Sequence, residues 1–351
     1  MTNDISQGLS CPLPIDNYAT VVLAHGGGGK LTHQLIEQVF KKHFSNPDLD
    51  LMHDGAMVEV NKGRIAISTD SYVVSPISFP GGNIGELAVN GTVNDIAMCG
   101  AQPKYLTASF ILEEGLRIDE LEIIVESMAN AAKKAGVLIV TGDTKVVPRG
   151  KADKIFITTS GVGMIPEGRN IHPSKINAGD KIIISGTIGD HGMAVMSVRE
   201  GLEFESEIRS DTCALNGLVE AMYHASSNIN FLRDPTRGGV ASTMNEIASS
   251  SNKGIRLFEQ AIPVNGNVRS ACEILGFDPL YVANEGKLIA IVSSVDAEKI
   301  LAVMKQHPFG KDSSIIGEVT NEHPSVVVLQ TVIGGERVVD MMSGEQLPRI
   351  C

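Results

Sequence analysis

Carboxylate side chains beside glycines and strand ends are the first feature of this sequence that could do chemistry. Asp70 lies at the end of a predicted strand, and Asp95 lies next to Asn94 on a predicted glycine-rich helix. Asp143 belongs to a third segment, GDTK, which follows another predicted strand. Carboxylate oxygens in such places are the ligands that Mg²⁺ bound to a polyphosphate requires. A single Asp is more often a turn or cap residue, but three such segments together predict a shared acidic metal site.

A glycine-rich segment near the start of the chain could hold phosphate. His25–Lys30 reads HGGGGK and precedes a predicted helix, so backbone N–H groups at Gly27 and Gly28 could cradle phosphate oxygens. The segment departs from the P-loop pattern, because the first glycine and the Ser or Thr after the lysine are both missing. A flexible loop is therefore as good an interpretation as a phosphate site that includes Lys30.

Three further side chains could act on a phosphate or a proton. Arg237 and Gly238 lie in the segment DPTRGG, where the guanidinium could grip phosphate or could simply be solvated at a helix-entry turn. Lys145, which follows Thr144 in the GDTK segment, could offset phosphoryl charge. Glu285 could be a general base or a salt-bridge partner, and the sequence leaves both interpretations open.

The last residue, Cys351, is preceded by Pro348-Arg349-Ile350. A thiol on a flexible arm can carry a covalent group into a distant pocket, whereas an exposed thiol without a role is an oxidation hazard. The five cysteines are far apart and form no CxxC pair, which argues against a zinc site and a disulfide framework. An incidental terminal cysteine remains the alternative to a carrier thiol.

Composition excludes some classes of partner. The net charge of −12 disfavours nucleic acid and anionic membranes, and 43% hydrophobic with 20% charged residues is ordinary for a globular protein. No stretch approaches the length of a membrane span, and the N-terminus lacks the features of a signal peptide. We therefore expect a cytoplasmic protein.

Strand and helix patterns alternate along the chain and break around residues 166–179, so two α+β or α/β domains are predicted. The predicted division is an N-terminal arm (1–19), an N-terminal domain (20–165), a C-terminal α/β domain (166–340) and a tail (341–351). The tail has no periodicity, so it is predicted to be mobile.

The ordered motifs resemble those of the aminoimidazole ribonucleotide synthetase superfamily, over nearly the whole chain. Within it, the chain is most similar to the hydrogenase-maturation dehydratases, because of its terminal PRIC sequence. The motifs are HGGGGK, STDSYVVSPISFPGGNIGELAVNGTVNDIAMCGA, GDTKVV, SGTIGDHG, RDPTRGGV, NEGK and PRIC. The resemblance implies a two-domain fold in which the N-terminal sheets pair across a homodimer and ATP with Mg²⁺ lies in a cleft between the domains.

The resemblance also implies roles for the candidate residues. Cys351 would carry an S-carbamoyl group that is dehydrated to a thiocyanate, with Lys145 offsetting charge. Glu285 or Lys145 would accept a proton, and His25 is the next candidate for that role. The metal candidates are Asp70, Asp95 and Asp143. The candidates on the nucleotide side are Gly27, Gly28, Lys30, Asp70, Asn94, Thr144, Arg237 and Gly238.

Partners follow from the same resemblance. A carbamoyltransferase would load the thiol, and an iron-carrying scaffold complex would accept the cyanide ligand for a [NiFe] hydrogenase. Two alternatives remain: a small-molecule synthetase of the superfamily, which would need no terminal thiol, and a non-catalytic scaffold that docks through its tail.

Overall fold

The structure, a computed structural model, describes residues 28–37, 49–53, 56–60, 63–201, 207–342, 347 and 349–351. The predicted arm (1–19) and the candidates His25 and Gly27 lie outside the described residues. The helices of the described part, numbered α1 to α8, are Lys30–Leu35, Ile84–Met98, Ile118–Ala135, Asp190–Glu200, Asn216–Ala225, Gly239–Ser251, Gly266–Leu275 and Ala297–Gln306.

The first sheet contains five strands in the order β1-β2-β7-β5-β6, and only β5 and β6 run parallel. One face of this sheet is covered by α2 and α3. Its strands are β1 (Ala56–Val60), β2 (Gly63–Tyr72), β5 (Gln102–Glu113), β6 (Leu138–Val147) and β7 (Ile155–Ile165), and a small hairpin of β3 (Ser78–Phe79) and β4 (Gly82–Asn83) follows β2.

The second sheet contains seven strands in the order β14-β13-β10-β12-β8-β11-β9, and only β10 and β13 run parallel. The first sheet ends at Ile165 and the second begins at Lys181. The predicted break around residues 166–179 therefore lies between the two sheets. Its strands are β8 (Lys181–Ile184), β9 (Ile229–Arg233), β10 (Gly254–Phe258), β11 (Ile289–Val292), β12 (Ser314–Thr320), β13 (Val327–Gln330) and β14 (Glu336–Val338). The mixed α/β architecture agrees with the predicted fold class.

Helix α2 is buried on nearly all sides, with thirteen of its fifteen residues inaccessible to solvent. It packs on the first sheet, while Ala97 and Met98 join the hydrophobic core of the C-terminal domain. This position explains why its sequence lacks an amphipathic pattern. It also requires glycine at position 91, because a Cβ there would overlap the Tyr72 hydroxyl group of β2. The glycines of this helix therefore allow close packing.

The other face of the first sheet is open and apolar. Large hydrophobic side chains on it are substantially exposed, including Tyr105, of which 50% is accessible. Every residue of the edge strand β6 up to Val146 is exposed. A folded protein seldom exposes an apolar surface of this kind unless another molecule covers it, so this face of the sheet is a candidate interface. Among the described residues, no helix is long and apolar enough to cross a membrane.

The close packing of α2 on Tyr72 gives a prediction about stability. Gly91→Ala should lower the free energy of unfolding, because overpacking costs about 1–3 kcal/mol and the gain in helix propensity is only about 1 kcal/mol. Combining it with Tyr72→Phe, which removes the overlapping hydroxyl, should recover part of the loss. Urea denaturation of the single and double variants measures both effects.

Gly266→Ala is the matched control, because a Cβ at this helical glycine meets nothing within 4 Å. It should leave the unfolding midpoint unchanged or slightly raised. Equal midpoints for the Gly91 and Gly266 variants would contradict the packing explanation.

Candidate active site between the two domains

The end of the chain lies docked against the segment that follows β2. The Val73 backbone N–H donates to a backbone oxygen of Cys351 at 3.1 Å, and the Ser75 N–H donates to the Arg349 carbonyl at 3.1 Å. These two bonds pair the tail with residues 73–75 in an antiparallel sense. The structure shows the tail in a docked conformation, which places the Cys351 thiol in the cleft. That the tail is mobile stays a prediction.

Glu285 is the nearest acidic partner of the docked thiol. The Cys351 thiol hydrogen-bonds the Glu285 carboxyl group, and the loop before β11 carries Glu285 into the cleft. Burial raises the pKa of the thiol, the Glu285 charge raises it further, and Arg237 partly opposes both. The thiol is therefore protonated at neutral pH and is not a free thiolate nucleophile in this position.

Glu285 itself is 4% exposed and has a strongly raised pKa. Burial is the main cause, and the charges of Asp70, Asp234 and Asp211 add to it. Among the described residues, one of its carboxyl oxygens, Oε1, has no hydrogen-bond partner. A buried carboxyl group with a raised pKa and an unused oxygen is suited to proton transfer.

Asp70 lies on the helix-covered face of β2, close to this pair. The Tyr72 hydroxyl donates to Asp70 Oδ2 at 2.8 Å, and the Ser71 N–H donates to Oδ1 at 3.1 Å. Burial raises the pKa of Asp70, whereas the bond from Tyr72 and the charge of Arg237 lower it. Asp70 lies inside β2, two residues before the strand ends at Tyr72, and its role in binding stays a prediction.

Asp95 approaches the same region from α2, where the Ser68 hydroxyl donates to its carboxylate. Tyr72 reports how the acids are grouped, because burial and the charges of Asp70, Asp95 and Glu285 together raise its pKa. Tyr72 is thus a site residue that the sequence analysis missed. The available signal was an aromatic residue two positions after Asp70, on the same face of a strand.

The two glycine-rich segments meet in the structure. A Cβ at Gly28, whose φ is +73°, would approach the Arg237 carbonyl oxygen to 2.9 Å, and Gly238 adopts a φ of +77° just before α6. The pKa of Arg237 is raised, first by the charge that Cys351 would carry as a thiolate and then by the charges of Asp70 and Glu285, while burial lowers it. Two predicted phosphate-side segments therefore lie together beside the thiol. Lys30 starts α1, and its backbone N–H donates to the Met342 carbonyl at 3.0 Å.

Asn94 has a different role from the predicted nucleotide contact. Its Nδ2 donates to the backbone carbonyls of Cys213 at 3.0 Å and Glu285 at 3.3 Å, and its Oδ1 accepts from the Leu215 N–H at 2.8 Å. Because the amide is 1% exposed and occupied by backbone groups, it holds the Glu285 loop against α2.

The structure of one chain does not bring Asp143, Thr144 and Lys145 to this cleft. They lie within β6 instead of after a strand, and all three are exposed. Asp143 of β6 is paired with Ser109 of β5, which is paired with Thr158 of β7, which is paired with Ser71 of β2. Three strand spacings, or roughly 14 Å, therefore separate Asp143 from β2.

Asp143 also points to the open face of the sheet, opposite to Asp70, because its neighbours in register are on that face. Lys145 Nζ lies 2.7 Å from Asp143 Oδ2 and, with this bond as the main cause, lowers the pKa of that carboxyl group. The three aspartates therefore do not form one site within a single chain. No group of three or more potential metal ligands occurs among the described residues.

A buried ion pair next to Glu285 fixes the backbone of this residue, and the sequence analysis did not predict it. Lys287 Nζ lies 3.1 Å from Asp211 Oδ2, and Asp211 Oδ1 accepts from the Glu285 N–H at 3.0 Å. Lys287 follows two residues after Glu285, in the NEGK motif. Only the fold, which brings residue 211 beside residue 285, reveals this pair.

The chain matches two family models, the AIR synthase related protein N-terminal domain over residues 52–165 and the corresponding C-terminal domain over residues 177–330. It is 54% identical to the carbamoyl dehydratase HypE of Azotobacter vinelandii over 95% of this chain and 97% of the relative. It is 52% identical to the carbamoyl dehydratase HypE of Cupriavidus necator over the full length of both chains.

Solved structures agree with these matches. A HypE–HypF complex matches with a TM-score of 0.84 and 51% identity, over 88% of this chain and 99% of the other. HypE in complex with ATP matches with a TM-score of 0.80 and 49% identity, over 95% of this chain and 100% of the other. Thiamine monophosphate kinase from Aquifex aeolicus shares only the fold, at 21% identity and a TM-score of 0.64, over 88% of this chain and 99% of the other.

The raised pKa of Glu285 predicts an unusual pH dependence of stability. A carboxyl group whose pKa rises on folding favours the folded state at low pH, and this contribution is lost as pH rises through the folded-state pKa. Glu285→Gln should therefore stabilise the protein more at pH 8 than at pH 5, by about 1 kcal/mol or more, the equivalent of one pKa unit. Chemical denaturation at the two pH values measures the difference.

Glu220→Gln is the control with the opposite sign. Glu220 accepts two hydrogen bonds from Arg169, at 2.6 and 2.7 Å, and the first cause of its lowered pKa is this pairing. Its replacement should destabilise the protein at pH 8 and have less effect at acidic pH. If Glu285→Gln instead lowers the free energy of unfolding at pH 8, the pKa of Glu285 is not raised in the folded protein.

The two family models cover both sheets up to residue 330, and the full-length match to the Cupriavidus necator relative also covers the tail. The chain therefore belongs to the carbamoyl dehydratase HypE family, within the AIR synthase related proteins.

Proposed function

We propose that this chain is an ATP-dependent dehydratase that converts an S-carbamoyl group on Cys351 to a thiocyanate, which supplies cyanide to the iron of a [NiFe] hydrogenase. The observation that carries the proposal is the docked Cys351 thiol beside the buried Glu285 carboxyl group. A group bound to this sulfur would lie within the same cleft as Asp70 and Arg237. Relatives about half identical to this chain are named carbamoyl dehydratases, which favours this function over a small-molecule synthetase.

The reaction needs a leaving group and a place for protons. ATP supplies a phosphoryl group, which forms a bond to the carbamoyl oxygen as its bond to ADP breaks. The C–O bond then breaks and phosphate departs, while N–H protons are lost and the C≡N bond forms. Glu285 is the proposed acceptor of one of these protons in its ionised form, because it lies beside the sulfur and its raised pKa makes the carboxylate a stronger base. Arg237 is proposed to lie on the phosphate side, together with Gly28 and Gly238.

Mg²⁺ is the proposed companion of the nucleotide. Asp70 and Asp95 are the carboxylates that would hold it, since both lie around Tyr72 near the thiol. A bound Mg²⁺ neutralises charge on the transferring phosphoryl group. The donor set fits a hard cation that takes most of its ligands from phosphate and water.

Lys145 requires a second chain if it is to act in this site. We propose that the open faces of two N-terminal sheets pair in a homodimer, which would cover the exposed side chains of that face, including Tyr105 and Leu138. Lys145 lies on the open face and cannot reach the thiol of its own chain across the sheet. It would therefore serve the site that contains Cys351 of the other subunit.

The proposed partners follow from the chemistry and from the relatives. A HypE has been solved in complex with HypF, and we propose that a carbamoyltransferase of that kind loads the Cys351 thiol. Loading requires the tail to leave the cleft, because the docked thiol is half-buried and hydrogen-bonded to Glu285. An iron-carrying scaffold complex is the proposed acceptor of the cyanide.

The direct test is the mass of the C-terminal peptide. After incubation with the carbamoyl donor system and ATP, the wild-type peptide should first gain a carbamoyl group and then lose one water. Cys351→Ala should fold normally and give neither product, whereas Cys272→Ser, a change at a buried cysteine of α7, should still give both. Cyanide-ligand synthesis at the normal rate by the Cys351 variant would overturn the carrier role.

Mixed dimers test whether Lys145 acts across the interface. Lys145→Ala alone and Cys351→Ala alone should each be inactive in single turnover. Co-expressed heterodimers should recover activity, because one site then pairs the intact Cys351 of the first variant with Lys145 of the second. The recovered site is limited to one per heterodimer.

Leu138→Asp on the open face serves as the control, since it should abolish the dimer and the recovery together. If Lys145 acts within its own chain, the heterodimers will not recover activity. Full activity of Lys145→Ala would show that this residue takes no part in the reaction. Size-exclusion chromatography with light scattering gives the oligomeric state of each sample.

A further inference from the structure

The backbone of the tail is bound by a set of hydrogen bonds from the body of the protein. The backbone oxygen of each of the last three residues accepts such a bond, and the donors come from both domains. The bonds run to Arg349 O from Ser75 N (3.1 Å) and Arg199 Nη2 (2.9 Å), to Ile350 O from His191 Nε2 (2.7 Å), and to Cys351 O from Val73 N (3.1 Å). We call these four donors the tail socket.

His191 is fixed in one protonation state by its surroundings. Its Nε2 faces a carbonyl oxygen, which can only accept, so Nε2 carries the hydrogen. Its Nδ1 lies 2.8 Å from the Ser210 hydroxyl oxygen, which itself accepts from the Thr212 N–H at 3.1 Å. The Ser210 hydroxyl hydrogen is therefore directed at Nδ1. The ring is neutral and fully buried, and the Ser210 hydroxyl group fixes its orientation from the side opposite the tail.

The side chains of the tail also contact the body of the protein. Ile350 is 2% exposed and belongs to the core cluster that also contains Met193 of α4. Arg349 forms an ion pair with Asp153 of the loop between β6 and β7. A shift of the tail by one residue would place the Ile350 side chain on the other side of the paired strand. The socket thus specifies a single register.

We propose that His191 is a positioning residue, which sets the register of the tail through the Ile350 carbonyl and so places the Cys351 sulfur at Glu285. The inference rests on the proposed dehydration of a Cys351-bound group. Arg199 is the second anchor, because its guanidinium joins the Arg349 carbonyl of the tail to the Ser75 carbonyl of the strand that receives it. The socket is therefore a binding site for the backbone of an extended C-terminal peptide.

The test separates docking from chemistry in the full-length chain. The first measurement is the rate of Cys351 alkylation by iodoacetamide without ATP, followed by mass analysis of the C-terminal peptide. The second is single-turnover nitrile formation from carbamoylated protein. His191→Ala should speed alkylation and slow nitrile formation, each about tenfold, which is the weight of one buried hydrogen bond.

His191→Gln keeps an N–H donor near the position of Nε2 and should recover part of both effects. His224→Ala, at an exposed histidine of α5, is the control and should change neither rate. Arg199→Gln should give the same paired changes, and it decides the question if His191→Ala fails to fold.

Opposite changes in the two rates distinguish positioning from general damage to the fold. Unchanged alkylation in a folded His191→Ala protein, or nitrile formation at the wild-type rate, would overturn the proposal. If wild-type protein forms no nitrile at all, the proposed function fails, while the alkylation comparison still decides whether His191 holds the tail.

Discussion

Burial of acidic groups at the boundary between the two domains is the constraint on which the rest of the structure depends. Glu285, Asp70 and Asp211 lie close enough for their charges to affect one another, and burial makes each ionised carboxylate costly. The protein offsets this cost with Arg237, with the ion pair of Lys287 to Asp211, and with protons. Such strained carboxyl groups are typical of sites that transfer protons.

The surrounding elements can be understood as supports for that cluster. Helix α2 must fit between the sheet and the second domain, so it carries glycine against Tyr72 and uses Asn94 to hold the loop of Glu285. Helix α4 presents His191 and Arg199 to the tail. Each of these side chains acts on backbone groups, which makes the geometry of the cleft depend on the fold and only weakly on the tail sequence.

Much of the fold could be predicted from the sequence, because strands, glycine stops and helix periodicity are local signals. The structure places Asp70, Arg237 and Glu285 near the thiol, and their roles there stay predictions. The role of Asn94 could not be predicted, since the carbonyls that it binds come from residues more than a hundred positions away. His191 was likewise hidden, because a histidine in a GDHG turn gives no sign of which backbone will reach it.

Asp143 and Lys145 show a second limit. Their GDTK segment carries the composition of a phosphate site, but composition does not state on which face of a strand a side chain lies. That depends on the register of β6 against β5, and a shift of one residue would reverse it. The open, apolar face around them is the physical reason to look for the missing part of the site on another subunit.

The raised pKa of Glu285 has a calorimetric consequence. Any ligand that opens the domain boundary to water will let this carboxyl group ionise and pass a proton to the buffer. The heat of binding will then depend on the ionisation enthalpy of the buffer, and titrations in phosphate and in Tris will differ for the same ligand. The slope of that dependence counts the protons that leave the cleft.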